Sequence, residues 1–142
     1  MTTTRRRDER GSASIEAVIA GPAVVLLISL VILGGRVALA HQTVQAIAAD
    51  TARAASLART TSEARQAAAK AMDAGLDQQL TCAARSLDLD LSGFTKPVGT
   101  PAAVSATITC KVPTAELGLP IAGDLTISAT MSSPIDTFRE RR

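Results

Sequence analysis

The sequence predicts an α+β protein. An N-terminal transmembrane helix runs into a long alanine-rich amphipathic helix, which packs on a small three-stranded antiparallel sheet. Three observations carry this expectation. The stretch Ala17–Gly35 contains no charge and is bounded by Glu16 and Arg36. From Val37 onward the chain is rich in alanine and carries a seven-residue apolar repeat. Beyond Cys82, apolar and polar residues alternate in three runs separated by Pro and Gly. A length of 142 residues allows one small domain and an appendage.

Composition excludes more than it assigns. Lys and Arg number 15 against 13 Asp and Glu, a formal charge of +2, so no charge excess asks for nucleic acid. There are two Phe and no Tyr or Trp, which removes base-stacking platforms and aromatic cages. His41 is the lone histidine, and Cys82 and Cys110 are the only cysteines. Most Cys/His zinc sites need more ligands than this set holds, and a Ser-His-Asp centre would have to use His41. No catalytic residue, metal, cofactor or small-molecule substrate is expected. His41 reads as a polar surface residue.

The uncharged run would span about 28 Å as a helix, close to the hydrocarbon thickness of a bilayer. A buried core helix would need more surrounding protein than this chain offers. Arg5, Arg6, Arg7 and Arg10 precede the run and Arg36 alone follows it. The positive-inside rule then leaves the N-terminus in the cytoplasm and the C-terminus outside. Two other segments share this profile. Ala38-Leu39-Ala40 before His41 fits an A-x-A cleavage site, which would release a small secreted binding module after Ala40. Against it, the apolar run is long for a signal sequence, Arg36 intrudes before the site, and the helical pattern continues through His41. A plain single-pass anchor is the remaining alternative.

The residues just ahead of the run discriminate further. Arg10-Gly11-Ser12-Ala13-Ser14-Ile15-Glu16 places a basic tail, a glycine and then an acid at the mouth of the span. This resembles the processing site of type IV prepilins. Within them, RGSASIEAVIAGPAVVLLISLVI is similar to the TadE-like minor pseudopilins of tight-adherence pili, with Gly11, Glu16 and Pro22 at the family spacing. Ala17 departs from the pattern, which usually has an aromatic there. The short tail Ser133-Pro134-Ile135-Asp136 also resembles the family. The resemblance implies that a prepilin peptidase cuts between Gly11 and Ser12 on the cytoplasmic side. It also implies that Glu16 registers neighbouring subunits by pairing with a new N-terminal amine. Glycine suits a cleavage site because no side chain blocks the backbone. A lone Glu in hydrocarbon costs several kcal/mol. The simpler reading, Glu16 at the first helical turn complementing the dipole, leaves Gly11 and the basic tail unexplained. The implied partners are the bilayer, the peptidase, other pilin or pseudopilin subunits and the assembly platform.

Pro22 removes an amide from the span and presses its ring on the carbonyl of Val18, so a kink is expected near residues 18–22, eased by Gly21. Beyond Arg36, Val37, Val44, Thr51 and Ala58 alternate with Ala40, Ile47 and Ala54 as a narrow stripe of small side chains. Asp50, Arg53, Arg59 and Arg65 need a solvated face. Thr60-Thr61-Ser62-Glu63 reads as a capping box where the helix can break and restart.

The last part reads as strands. Leu87, Leu89 and Leu91 alternate with polar residues, as do Val104–Val112 and Leu125–Met131, with Pro and Gly between the runs. The apolar face of this sheet has only the alanine-rich helix to cover it. A long N-terminal helix on a small sheet is also the pilin architecture. Cys82 and Cys110 can close a loop stabilising a small head by about 3–4 kcal/mol in the chain-entropy model. The alternative is two buried free thiols. The expected organisation is a basic cytoplasmic leader (1–11), a transmembrane helix (12–36), an extracytoplasmic alanine-rich helix (37–81), a stapled β head (82–135) and a charged tail (136–142). The function expected is a non-enzymatic minor pseudopilin or pilus assembly protein in the cytoplasmic membrane, either incorporated in the fibre or priming its assembly.

Overall fold

The computed structural model describes residues 10–118 and 122–138, with side chains from residue 18 onward. Arg5, Arg6 and Arg7 of the leader, and the end of the charged tail, lie outside the described residues. The backbone divides into two units between Gly35 and Arg36, and each is taken in turn.

In the first unit, helix α1 (Arg10–Ser56) begins and continues through Pro22. Val18, Ile19 and the large apolar residues from Val24 to Ile32 are all exposed. Nothing lies within 4 Å of an ideal Cβ at Gly21, Gly34 or Gly35. The Ser29 hydroxyl donates to the Val25 carbonyl at 2.8 Å, so the helix satisfies its own hydroxyl, as a hydrocarbon solvent requires.

In the second unit, the remainder of α1 is followed by α2 (Thr61–Gln79), β1 (Ala84–Asp90), β2 (Ala102–Pro113) and β3 (Asp124–Ile135). A short 3-10 turn, Ser92–Thr95, joins β1 to β2. The strands form an antiparallel sheet in the order β1-β2-β3. Because side chains alternate between faces, Val104, Ala106, Ile108, Cys110 and Val112 share one side of β2. All five are buried. The register sets Leu87 against Ile108 and Ile108 against Ala129, so the apolar row crosses the whole sheet.

The helices cover this row with small side chains. On α1, Ala40, Val44, Ile47, Ala48, Thr51, Ala52 and Ala55 are buried, the sequence stripe widened by one position per turn. On α2, Ala64, Ala68, Met72 and Leu76 recur every four residues. An ideal Cβ at Gly75 would lie 3.0 Å from Ile47 Cγ1, so the glycine admits that side chain. Burying each of Ile47, Leu76, Ile108 and Ile127 contributes about 1.5–3 kcal/mol. Met131 departs from the sequence expectation. It shares the parity of Ile127 and Ala129 on the edge strand, yet it is 40% exposed.

The helix break forms at the capping box. Thr60 is the N-cap, and its Oγ1 accepts from the Glu63 amide at 3.1 Å. The Glu63 carboxylate reaches one residue beyond the usual partner and accepts the Arg59 amide at 3.1 Å. Cys82 and Cys110 form a disulfide across a separation of 28 residues, with Cα atoms 5.5 Å apart. This staple ties the segment after α2 to the central strand. Arg85 of β1 adds a surface link, reaching Asp77 at 2.6 Å and Asp73 at 3.5 Å. Such exposed pairs contribute less than about 1 kcal/mol.

Two positions make the packing testable. Thr51 is fully buried in α1, and its Oγ1 has no hydrogen-bond partner. Such an orphan costs about 1–3 kcal/mol. Thr51→Val should therefore raise the thermal midpoint of the full chain in detergent, measured by circular dichroism; a lower midpoint would show that the hydroxyl is satisfied. Gly93, in the 3-10 turn, is the opposite case. An ideal Cβ there would overlap the Ala103 carbonyl oxygen, a backbone atom that cannot rotate away. Gly93→Ala should lower stability by about 1–3 kcal/mol in the same experiment.

Candidate functional site

The residues expected to carry function lie at the start of α1. Ala13, Ala17 and Ala20 favour a helix in this segment, although Val18-Ile19 is β-branched. Gly11 and Ser12 fall in the first turn, and Glu16 follows four residues after Ser12. The side chains of these three lie outside the described residues, so the backbone alone places them.

Past Glu16 the helix presents large apolar side chains on every side. None of its most apolar window is buried, and the helix is long enough to cross a membrane. Pro22 sits in the interior of this stretch, with Gly21 beside it meeting no neighbour. A missing amide and a ring beside the Val18 carbonyl make this the weakest point of the helical ladder.

The head supplies no comparable chemistry. His41 is exposed on α1. Among the described residues, no three of His, Cys, Asp and Glu gather as a metal-binding group. The outward face of the sheet is a hydroxyl ladder: Thr107 pairs with Thr130 at 2.8 Å and Thr109 with Ser128 at 3.0 Å. Asp90 caps the 3-10 turn, accepting the Ser92 amide at 2.9 Å, and that bond holds its carboxyl below the usual carboxylate range. Its contribution is therefore present at neutral pH and lost as the pH falls through the folded-state value. The tail Ser133-Pro134-Ile135-Asp136 ends β3 against α1. Ile135 is buried with Ala55 and Phe94, and the Ser133 hydroxyl meets that of Ser56 at 3.0 Å.

Sequence reasoning missed two local features. Phe94, one of only two aromatics, plugs the core beside Ala102 and Val104; the Asp90-to-Ser92 turn was its available signal. Arg36, read only as a flanking charge, lines a cavity of about 460 Å³ with residues from the end of α2 and the β2–β3 loop. Nothing in a linear sequence brings those three segments together.

The model of the TadE-like protein family matches residues 11–53. No curated protein and no solved structure matches the chain. The matched stretch opens at Gly11, includes Ser12, Glu16, Gly21 and Pro22, and reaches into the buried stripe of α1. The resemblance read from the sequence is borne out over that segment. The match covers this N-terminal segment alone, and among the described residues one exposed apolar helix fits membrane anchoring. Placing an arginine at the middle of that helix should then cost about 3 kcal/mol of insertion, on the order of a hundredfold in the equilibrium. Leu27→Arg is expected to shift the chain from carbonate-resistant membranes to the soluble fraction, while a helix that never enters lipid would show no shift.

Proposed function

We propose that the chain is a minor pseudopilin, a non-enzymatic protein of pilus assembly that a membrane-embedded prepilin peptidase processes between Gly11 and Ser12. The observation that carries this is the TadE-like match beginning at Gly11, with Glu16 at the mouth of an exposed apolar span. Four arginines before the span keep the cleavage site cytoplasmic and send the head outside. Hydrolysis adds one water across the Gly11–Ser12 amide. It leaves a carboxylate on Gly11 and a free α-amine on Ser12, which is cationic at neutral pH.

Glu16 supplies the matching charge. A carboxylate at the edge of hydrocarbon is costly alone and strongly attractive to a cation there, because the low dielectric screens neither. The amine of a processed neighbour, or of a major pilin, satisfies it and fixes the axial stagger between subunits. Pro22 provides a soft point for a helix that leaves the bilayer and repacks among other subunits. The head then faces outward with its hydroxyl ladder, held by a disulfide suited to an oxidising compartment.

Release of a secreted module after Ala40 is the less favoured reading. Ala40 is 5% exposed, a core residue in mid-helix, and no break in α1 marks the bond to His41. The mature N-terminus separates the two: Ser12 with retention in the membrane, or His41 with release. Gly11→Leu should leave the full-length chain uncleaved when the cognate peptidase is co-expressed, as read by intact mass. Glu16→Ala should insert and be cleaved normally yet support little or no pilus assembly, and Glu16→Asp should be intermediate. Equal pilus yields from wild type and Glu16→Ala, at matched levels of processed protein, would refute the role given to this carboxylate.

A further inference from the structure

We propose that the cavity beside Arg36 is a phospholipid-headgroup site, selective for a phosphate that carries a primary amine, as in phosphatidylethanolamine. The proposal uses the membrane span but goes beyond the pilus reading. Arg36 is the first charged residue after the apolar run. In a membrane-spanning chain its guanidinium therefore stands at headgroup level, its stem against apolar surface. Leu39, also in the cavity lining, is 63% exposed and adds apolar surface there.

The guanidinium lies close to the backbone of Gly118. Gly118 in the β2–β3 loop adopts φ +79°, and an ideal Cβ there would lie 2.9 Å from Arg36 Nη1. A side chain at this position would be strained and would displace the arginine. Among the described residues Arg36 forms no ion pair. A phosphate can thus take its planar fork of donors.

The same lining also carries negative charge. Glu116 lines it, and among the described residues it forms no ion pair either. Asp77 is present with one oxygen engaged by Arg85. The last turn of α2 ends there without a basic residue, leaving the negative end of its dipole uncompensated. A bare anion would be drawn by Arg36 and repelled by these carboxylates. A headgroup with separated phosphate and ammonium satisfies both. Thr43 and Gln79 add neutral hydrogen-bonding groups. A cavity of about 460 Å³ accommodates such a group and lies within the usual range of small-ligand sites.

The test uses the full-length chain in detergent micelles, titrated with phosphatidylethanolamine, phosphatidylglycerol or phosphatidylcholine and read by native mass spectrometry. A one-to-one adduct with phosphatidylethanolamine should survive collisional activation that strips the other two lipids. Arg36→Gln, Glu116→Gln and Gly118→Ala should each reduce that adduct at least fivefold, while Arg53→Gln, on the exposed side of α1, leaves it unchanged. Soluble phosphoethanolamine should compete, and inorganic phosphate at the same concentration should not. Equal retention of all three lipids overturns the proposal. So does an adduct indifferent to Arg36→Gln and Glu116→Gln, two exposed positions that keep the test available should Gly118→Ala fail to fold. Displacement by inorganic phosphate as effective as by phosphoethanolamine would assign the cavity to free phosphate and also overturn it. Carbonate-resistant retention of the wild-type chain in membranes tests the span separately, so loss of the span and loss of the site read differently.

Discussion

The head depends on burying the stripe of small side chains on α1 and the apolar row of β2, which meet in one core where Ala55 joins Ala102 and Val104. Alanine brings a helix close to a sheet, but it buries little area per residue, so the layer is thin. Large side chains are few, with Ile47, Leu76, Ile108 and Ile127 carrying much of the burial. Every other device in the head compensates for that thinness. Gly75 admits Ile47, Phe94 plugs the end of the sheet, and the disulfide anchors the segment after α2 to the central strand. A domain of this size gains little from its core alone, so constraint of the unfolded chain matters proportionately more.

Backbone polarity is met locally where the chain changes direction. The Thr60 cap restarts the helix, Asp90 closes the 3-10 turn, and the Thr114 hydroxyl donates to the Gly123 carbonyl across the β2–β3 loop at 2.9 Å. Thr51 breaks this economy, being buried within the very stripe on which the packing depends. Nothing in the structure explains why a hydroxyl stands there.

The charges that bear on function mark the two ends of the apolar run. Glu16 stands at one end and Arg36 at the other, with no charge between them. Each is costly in hydrocarbon and each gains most from a partner at the membrane boundary. For Glu16 the partner proposed is an amine on another subunit. For Arg36 it is a lipid phosphate, with Glu116 and the end of α2 receiving the amine. The same low dielectric underlies both proposed roles, the acid's in assembly and the base's in lipid recognition.

What the sequence determined by itself was everything that repeats along the chain or caps it. The uncharged run, the alanine stripe, the alternation in three strands and the Thr60–Glu63 box are local patterns. Helical and strand periods translate directly into faces, so the α+β architecture, the helix break and the TadE-like segment were legible. The partnership of two lone cysteines was legible too, although only the register of β1 with β2 brings Cys110 within reach of Cys82. Tertiary structure decided what depends on neighbours distant in sequence. Met131 has the right parity for the core and stays exposed, although Ile127 and Ala129 on the same strand are buried. Gly75, Gly93 and Gly118 look alike in a linear sequence, yet one admits a side chain, one avoids a carbonyl and one makes room for Arg36. The cavity beside Arg36 gathers α1, the end of α2 and the β2–β3 loop. Periodicity gives the direction of each side chain, but which surface it meets is settled only when the elements pack.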